Sequence, residues 1–393
     1  MRLAFIASAL ALAIPTLSLP NIPLSPVNQC KGPVNPGSYI IKLKEGVLKD
    51  AFIPKLLKKL GLPDSCITHD YFSLIPAIVA NLKPEHLPLV HLIPGVESIN
   101  PDIILSLKEP QGDDILPSTA SSRVAGSRDA LVRRTDGSSD GQGVTIYGID
   151  SGINTDHRCF AGRASFGANF VNNNDTDQFG HGTHTAGIAT CEEYGGAKGA
   201  KIIALKVLDE KGSGPISAFI AAVQWALEDC KAGDKSCIVN MSIGGFDPTC
   251  ESTDLDDAVR YAISRGLHFT VAAGNTATDV NLSSITPARV KEVNTIGAVD
   301  SQNQRYALSN YGSLVDVWAP GVNVKSTWIG GPDAEHTMSG TSMAAPYVAS
   351  ILAKIISKYG NKSPAALSED LKNHASPAVI GALFSTNKLA TAW

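Results

Sequence analysis

Val144-Thr145-Ile146-Tyr147-Gly148-Ile149-Asp150-Ser151-Gly152 is an apolar run that ends on a carboxylate, with a glycine just beyond it to let the chain turn sharply. Taken alone, Asp150 reads as a turn former. The surroundings change that reading. Strand-like apolar runs recur at 202–207, 238–242, 269–273 and 293–299, alternating with helical periodicity, which predicts a parallel sheet flanked by helices. One helix starts near Pro215, a residue suited to a first turn, and Ile216, Ile220, Val223 and Leu227 fall on one apolar stripe that should cover a sheet face. Further helices are expected at about 255–265 and 342–359. Because open α/β sheets bind ligands at the carboxyl ends of their strands, Asp150 stands where a site would form.

Composition narrows the class. Of 393 residues, 44% are hydrophobic and 18% charged, a globular balance that excludes a disordered or fibrous chain. No tandem array of short repeats is present, so a solenoid is excluded. The net charge is -4 and the one clear basic cluster is Arg133-Arg134, so no nucleic-acid partner is expected. Arg2, an apolar run over 3–14 and small or polar residues before Asn21 read as a signal peptide over 1–20, hence a secreted protein. That run is too short to span a bilayer, and no later run reaches the roughly 18 apolar positions needed, so no membrane partner is expected.

In an oxidising compartment the seven cysteines (Cys30, Cys66, Cys159, Cys191, Cys230, Cys237, Cys250) predict disulfides, with at least one thiol left over and no pairing fixed by spacing. None of the spacings suits a metal finger. Sequons at Asn174, Asn281 and Asn361 predict glycosylation, whereas the sequon at Asn240 lies inside an apolar run and is expected to stay unmodified.

Before the sheet lies a different pattern. Residues 21–115 are punctuated by proline and alternate short apolar runs with lysine, as in a small α+β unit. Between 111 and 140 the chain turns to Ser, Gly, Asp, Thr and Arg, the composition of a linker, so a domain boundary is expected there.

Three later segments carry chemistry. Gly180-His181-Gly182-Thr183-His184 spaces two histidines for one helix face. Such a pair could ligate zinc, but no glutamate lies between them; alternatively one is a general base, which needs a carboxylate such as Asp150 to orient it. Thr337-Met338-Ser339-Gly340-Thr341-Ser342-Met343-Ala344-Ala345-Pro346 puts a hydroxyl at the first turn of an apolar helix, a position that suits an N-cap or a nucleophile. Val271-Ala272-Ala273-Gly274-Asn275 ends a strand on an amide able to donate to an oxyanion. A nucleophile elbow of the α/β-hydrolase type would need its acid and histidine after Ser342, where only Asp370 and His374 remain. The order Asp150, His181, Ser342 is that of subtilisin.

From about 141 to 359 the chain resembles the subtilase family of serine endopeptidases, within it the secreted fungal proteinase K-like branch. The likeness rests on the segments just quoted with Asn240-Met241-Ser242-Ile243-Gly244-Gly245 and Ser309-Asn310-Tyr311-Gly312. It implies a subtilisin-like three-layer α/β fold, a mostly parallel sheet flanked by helices, with Ser342 as nucleophile, His181 as base, Asp150 as its orienting acid, Asn275 in the oxyanion hole and His184 structural. It also implies that Gly212-Ser213-Gly214 and Ser242-Ile243-Gly244 pair with an extended peptide or protein substrate, and that Ala272-Ala273-Gly274 line a pocket for apolar or aromatic side chains. Residues 21–115 would be an inhibitory and chaperoning propeptide, an intramolecular partner cut from a monomeric peptidase domain (116–393) within 109–130. No cofactor is implied for catalysis. A structural calcium would use Asp316 with backbone oxygens near Lys291 and Val293, although Lys291 stands in place of a family proline. Phe179 and Tyr347 also depart from the family pattern, and they motivate the alternative of a weakly active or inactive binding or surface protein.

Overall fold

The computed structural model describes residues 32–107, 140–233, 236–243, 253–283 and 285–393. The expected signal peptide, the 115/116 boundary and the linker cut, together with Gly244, Cys30 and Cys250, lie outside the described residues.

The N-terminal unit consists of β1 (Val34–Leu43), α1 (Lys49–Leu60), β2 (Ile67–Asp70), β3 (Ala77–Asn81), α2 (Leu87–His91) and β4 (Val96–Ser106), its strands antiparallel in the order β2-β3-β1-β4. Successive strand side chains point to opposite faces, and both faces here are apolar. Ile41, Leu43, Ile78, Ala80 and Ile99 face one way and join Phe52 and Leu56 of α1 in a small core. Ile40, Ala77, Val79, Ile103 and Leu105 face the other way and merge with the core of the C-terminal part.

That second face rests on α4 (Ile216–Ala232) and α5 (Asp254–Ser264). The buried Asp102 carboxylate accepts from the Ser217 N–H at 3.0 Å and the Ser217 hydroxyl at 2.7 Å, which caps the first turn of α4 from outside the helix. Asn100 donates to Asp254 at 2.7 Å at the start of α5, and Lys42 pairs with Asp257 at 2.9 Å. The remaining edge of β4 pairs antiparallel with β8 (Ser213–Pro215) of the C-terminal part.

The C-terminal part holds a seven-stranded parallel sheet, order β12-β11-β10-β9-β5-β7-β6, from β5 (Val144–Asp150), β6 (Ala164–Asn169), β7 (Lys201–Lys206), β9 (Ser236–Met241), β10 (His268–Ala272), β11 (Asn294–Val299) and β12 (Val317–Pro320). Along β5, Val144 and Ile146 pack on the side of α3 (His181–Thr190), α6 (Thr341–Tyr359) and α7 (Pro364–His374), while Tyr147 and Ile149 pack on the side of α4 and α5. These are the three layers. The stripe Ile216, Ile220, Val223 and Leu227 is buried as expected, each such side chain contributing about 1.5–3 kcal/mol. A hairpin of β13 (Val324–Thr327) and β14 (Glu335–Met338) lies against α3.

Chain order reverses at β5, which has β7 on one side and β9 on the other, so the crevice beyond its carboxyl end is the switch point at which such sheets bind ligands. Asp150 is the last residue of that strand. Two details differ from expectation. Pro215 closes β8 in an extended conformation and sits at the N-cap of α4 rather than inside its first turn, because pairing with β4 holds it in a strand. Strands β6 and β12 carry no apolar run long enough to predict them. Two disulfides join Cys159 to Cys191 and Cys230 to Cys237, and among the described cysteines Cys66 is buried and free.

Candidate active site

Asp150 and His181 meet although 31 residues separate them. His181 opens α3, and its Nδ1 lies 2.9 Å from both Asp150 oxygens. A carboxylate only accepts, so the imidazole carries its proton on Nδ1 and presents a basic Nε2. The Ser151 N–H donates to Asp150 Oδ1 at 2.8 Å, and the Thr185 hydroxyl reaches Oδ2 at 3.5 Å. Gly182 makes the approach possible: a Cβ there would overlap the Gly152 carbonyl oxygen, so α3 could not sit against the turn after β5.

Ser342 is the second residue of α6, and its N–H is one of the four that a helix leaves outside its own ladder. Pro346 has no N–H to give the Ser342 carbonyl. Ser242 replaces it, its hydroxyl donating to Ser342 O at 2.8 Å while Ser342 Oγ donates to Ser242 O at 2.9 Å. The end of β9 is thereby stitched to the first turn of α6. Helix α6, which carries Ser342, packs on both α3 and β5, the elements that carry His181 and Asp150.

Asn275 follows β10, and its Oδ1 accepts from the Thr341 N–H at 2.9 Å and the Thr341 hydroxyl at 3.1 Å. Anchoring the carbonyl end fixes which way the amide NH2 group points. Asn310 holds this loop in turn, accepting from Thr276 and Thr278 and donating to Ala273 O at 2.8 Å. Ala272 and Ala273 are buried in opposite core layers, so this stretch can offer a substrate its main chain and little side chain. Gly212, Ser213 and Gly214 lie on the edge that β4 covers: Ser213 and Gly214 face Ser106 and Leu105, and the Leu107 N–H donates to Gly212 O at 2.9 Å. The ring of Phe179 packs at Gly212, two residues before His181. Tyr347 is half-buried on α6 against the core, and burial raises its phenol.

His184 belongs to the scaffold. Its Nε2 lies 3.1 Å from the carbonyl oxygens of Val324 and His336, so that nitrogen bears the proton, and burial with the neighbouring His181 lowers the ring to about 3. It ties α3 to the β13–β14 hairpin as a neutral imidazole. Asp316 does not fit a calcium ligand: its Oδ1 faces the Lys372 ammonium at 3.2 Å and its Oδ2 accepts from the Thr295 N–H at 2.9 Å. Among the described residues no three His, Cys, Asp or Glu side chains cluster as metal ligands. Asn174, Asn281 and Asn361 are exposed, whereas Asn240 is buried and its amide nitrogen donates to Ser242 Oγ at 2.9 Å.

Two side chains that no motif singles out lie in the same site. Asp177 is buried four residues ahead of His181, where an N-cap carboxylate could have been read from Asp177-Gln178-Phe179-Gly180. Lys206 is fully buried, and the signal for it is a lone lysine closing the apolar run Ile202-Ile203-Ala204-Leu205.

Residues 141–390 match the subtilase family. A "Subtilisin-like protease 1" of Arthroderma gypseum is 34% identical over 371 residues, covering 90% of this chain and 75% of that protein. A "Subtilisin-like protease 3" of Pseudogymnoascus destructans is 43% identical over 262 residues, covering 65% of this chain and 63% of its own length. Among solved structures, a cold adapted subtilisin-like serine proteinase superposes with a TM-score of 0.60 at 39% identity, over 65% of this chain and 90% of that one. A family match across most of the C-terminal part, on a parallel sheet whose switch point pairs an aspartate with a histidine, makes this chain a member of the subtilase family of subtilisin-like serine endopeptidases.

Proposed function

We propose that the protein is a secreted endopeptidase made as a zymogen, with a signal peptide over 1–20, an inhibitory propeptide over 21–115 and a peptidase domain over 116–393. Ser342 Oγ attacks the scissile carbonyl while His181 Nε2 takes its proton; Asp150 holds the imidazole and stabilises its charged form. The Asn275 amide and the Ser342 N–H receive the oxyanion, aided by the positive end of α6. His181 then protonates the leaving amine, and water hydrolyses the acyl-enzyme by the same route in reverse. Asn174, Asn281 and Asn361 carry glycans, and the mature domain acts as a monomer on peptides and proteins without a catalytic cofactor.

One observation carries the zymogen reading: β4 lies antiparallel on β8, the edge to which an extended substrate would add. While residues 104–107 hold that edge, no other chain can take it. A fluorophosphonate probe tests this. The secreted, linker-cleaved product is expected to be labelled on Ser342 and the uncut precursor to resist labelling; equal labelling of both would overturn the inhibitory role, and an unlabelled product would overturn the catalytic assignment. On a peptide library the product should cut after apolar or aromatic residues, since Ala272, Ala273 and Gly274 supply no acid to hold a base; cutting after Lys or Arg would exclude that preference.

Asn275→Ala should lower kcat by about 10²- to 10³-fold with little change in KM, because its donor acts on the oxyanion more than on the ground-state carbonyl. That magnitude is the one measured on subtilisin itself, a member of this family. Unchanged turnover would move the donor elsewhere.

A further inference from the structure

Ser151, immediately after the proposed catalytic acid, is fully buried and makes polar contacts in four directions. Its N–H donates to Asp150 Oδ1 at 2.8 Å, and its hydroxyl donates to Asp177 Oδ1 at 2.8 Å while accepting from the Gly182 N–H at 2.9 Å. Its carbonyl accepts from Lys206 Nζ at 2.7 Å. Asp177 also receives the N–H groups of Phe179, Gly180 and Thr183 and the Thr183 hydroxyl, between 2.6 and 3.1 Å, so one carboxylate gathers the loop and first turn that present His181. The other bond of Lys206 goes to Leu208 O at 2.9 Å.

From this arrangement we infer that Asp177 and Lys206 are a pair of positioning residues of opposite charge, acting through Ser151 to fix the Asp150–His181 bond and set the field around the imidazole. The inference rests on the catalytic reading above. A buried ammonium is costly unless neighbouring groups compensate it. Burial lowers Lys206, and Asp177, Asp209 and Asp150 oppose that shift in turn. The N-terminus of α3 alone could be capped by any short polar side chain. A charged carboxylate that also grips the residue after Asp150, with a buried cation on the other side of that residue, does more than cap a helix.

Asp150 from β5 bonds the His181 ring directly, Asp177 binds the loop and first turn that carry it, and Lys206 from β7 interacts with Asp177, Asp209, Asp150 and Glu210. His184 from α3 is neutral, and His336 of β14 lies behind it. Removing a buried unit charge a few ångströms away moves a neighbouring titration by about one pH unit. Opposite charges must move it in opposite directions.

The test is kcat/KM against pH on the linker-cleaved enzyme, normalised to folded protein. Asp177→Asn is expected to move the acidic limb down by about one pH unit and Lys206→Met to move it up by about as much, each lowering kcat by about 10-fold or more with KM nearly unchanged. The double variant should return the limb close to its starting position. Limbs that stay put, or move the same way, while stability falls would reduce both residues to scaffold and overturn the inference. If either charge variant fails to accumulate, Ser151→Ala replaces it; about 10-fold lower kcat with the limb unmoved supports the relay, and unchanged kcat overturns it. If the parent enzyme is not labelled at Ser342 by a fluorophosphonate, the catalytic assignment fails rather than this inference.

Discussion

Ser342→Ala is expected to lower peptide hydrolysis by about 10⁶-fold in kcat, the size of effect known for the nucleophile of subtilisin, a member of this family. The physical argument is local. Replacing Oγ removes the attacking atom and one hydrogen bond, the 2.9 Å donation to Ser242 O. The reciprocal bond from Ser242 Oγ to Ser342 O at 2.8 Å uses the main chain and survives, so the first turn of α6 stays attached to the end of β9. Loss of that single bond costs about 1 kcal/mol, too little to unfold a domain. The variant should therefore accumulate as a folded, uncut precursor. Its intact mass, showing the N-terminal unit still joined through the linker, is the second readout. A Ser342→Ala protein that cleaves its own linker, or that retains more than about a thousandth of the activity, would remove Ser342 from the chemistry.

The zymogen reading and this variant support each other because the N-terminal unit fits the surface it covers. Its sheet spends one apolar face on its own helix α1 and the other on α4 and α5. Detached, that second face would expose Ile40, Val79, Ile103 and Leu105, and Asp102 would lose both bonds to Ser217. With the N-terminal unit docked, both halves have their polar and apolar groups matched.

How much of this is legible in the sequence follows from where each element is buried. Strands β5, β7, β9, β10 and β11 lie between two helical layers, so they read as continuous apolar runs. Strand β6 is the partly exposed edge of the sheet, and its sequence Ala-Ser-Phe-Gly-Ala-Asn has no apolar run to show. Strand β8 is Ser-Gly-Pro, which is a strand because β4 lies beside it; no local propensity announces it. In the site, Asp150, His181, Ser342 and Asn275 stand out because each closes a strand or opens a helix among small residues. Asp177 and Lys206 do not, since their roles depend on Ser151 as a shared partner that only the fold supplies. The calcium expectation at Asp316 fails for a similar reason: Lys372 is 56 residues away in sequence and 3.2 Å away in space.

Asp150→Asn should lower kcat by about 10⁴-fold at neutral pH and leave the fold intact, the size of effect this substitution has in serine proteases with the same three residues. Asparagine is nearly isosteric with aspartate, and its carbonyl oxygen can still accept the Ser151 N–H that reaches Oδ1 at 2.8 Å. The other oxygen becomes an NH2 group, which can donate and no longer accept. At present both oxygens lie 2.9 Å from His181 Nδ1, so that nitrogen must carry the proton and Nε2 is left unprotonated. An amide donor favours the opposite tautomer, with Nδ1 accepting and Nε2 protonated, and a protonated Nε2 cannot take the proton of Ser342. The charged imidazolium formed during attack also loses its counter-charge in a buried site. Two readouts separate these effects from unfolding: the thermal midpoint should fall by a few degrees at most, and activity should recover in part at alkaline pH, where hydroxide can substitute for the missing base. A variant that keeps full activity at neutral pH would show that Asp150 does not set the tautomer of His181.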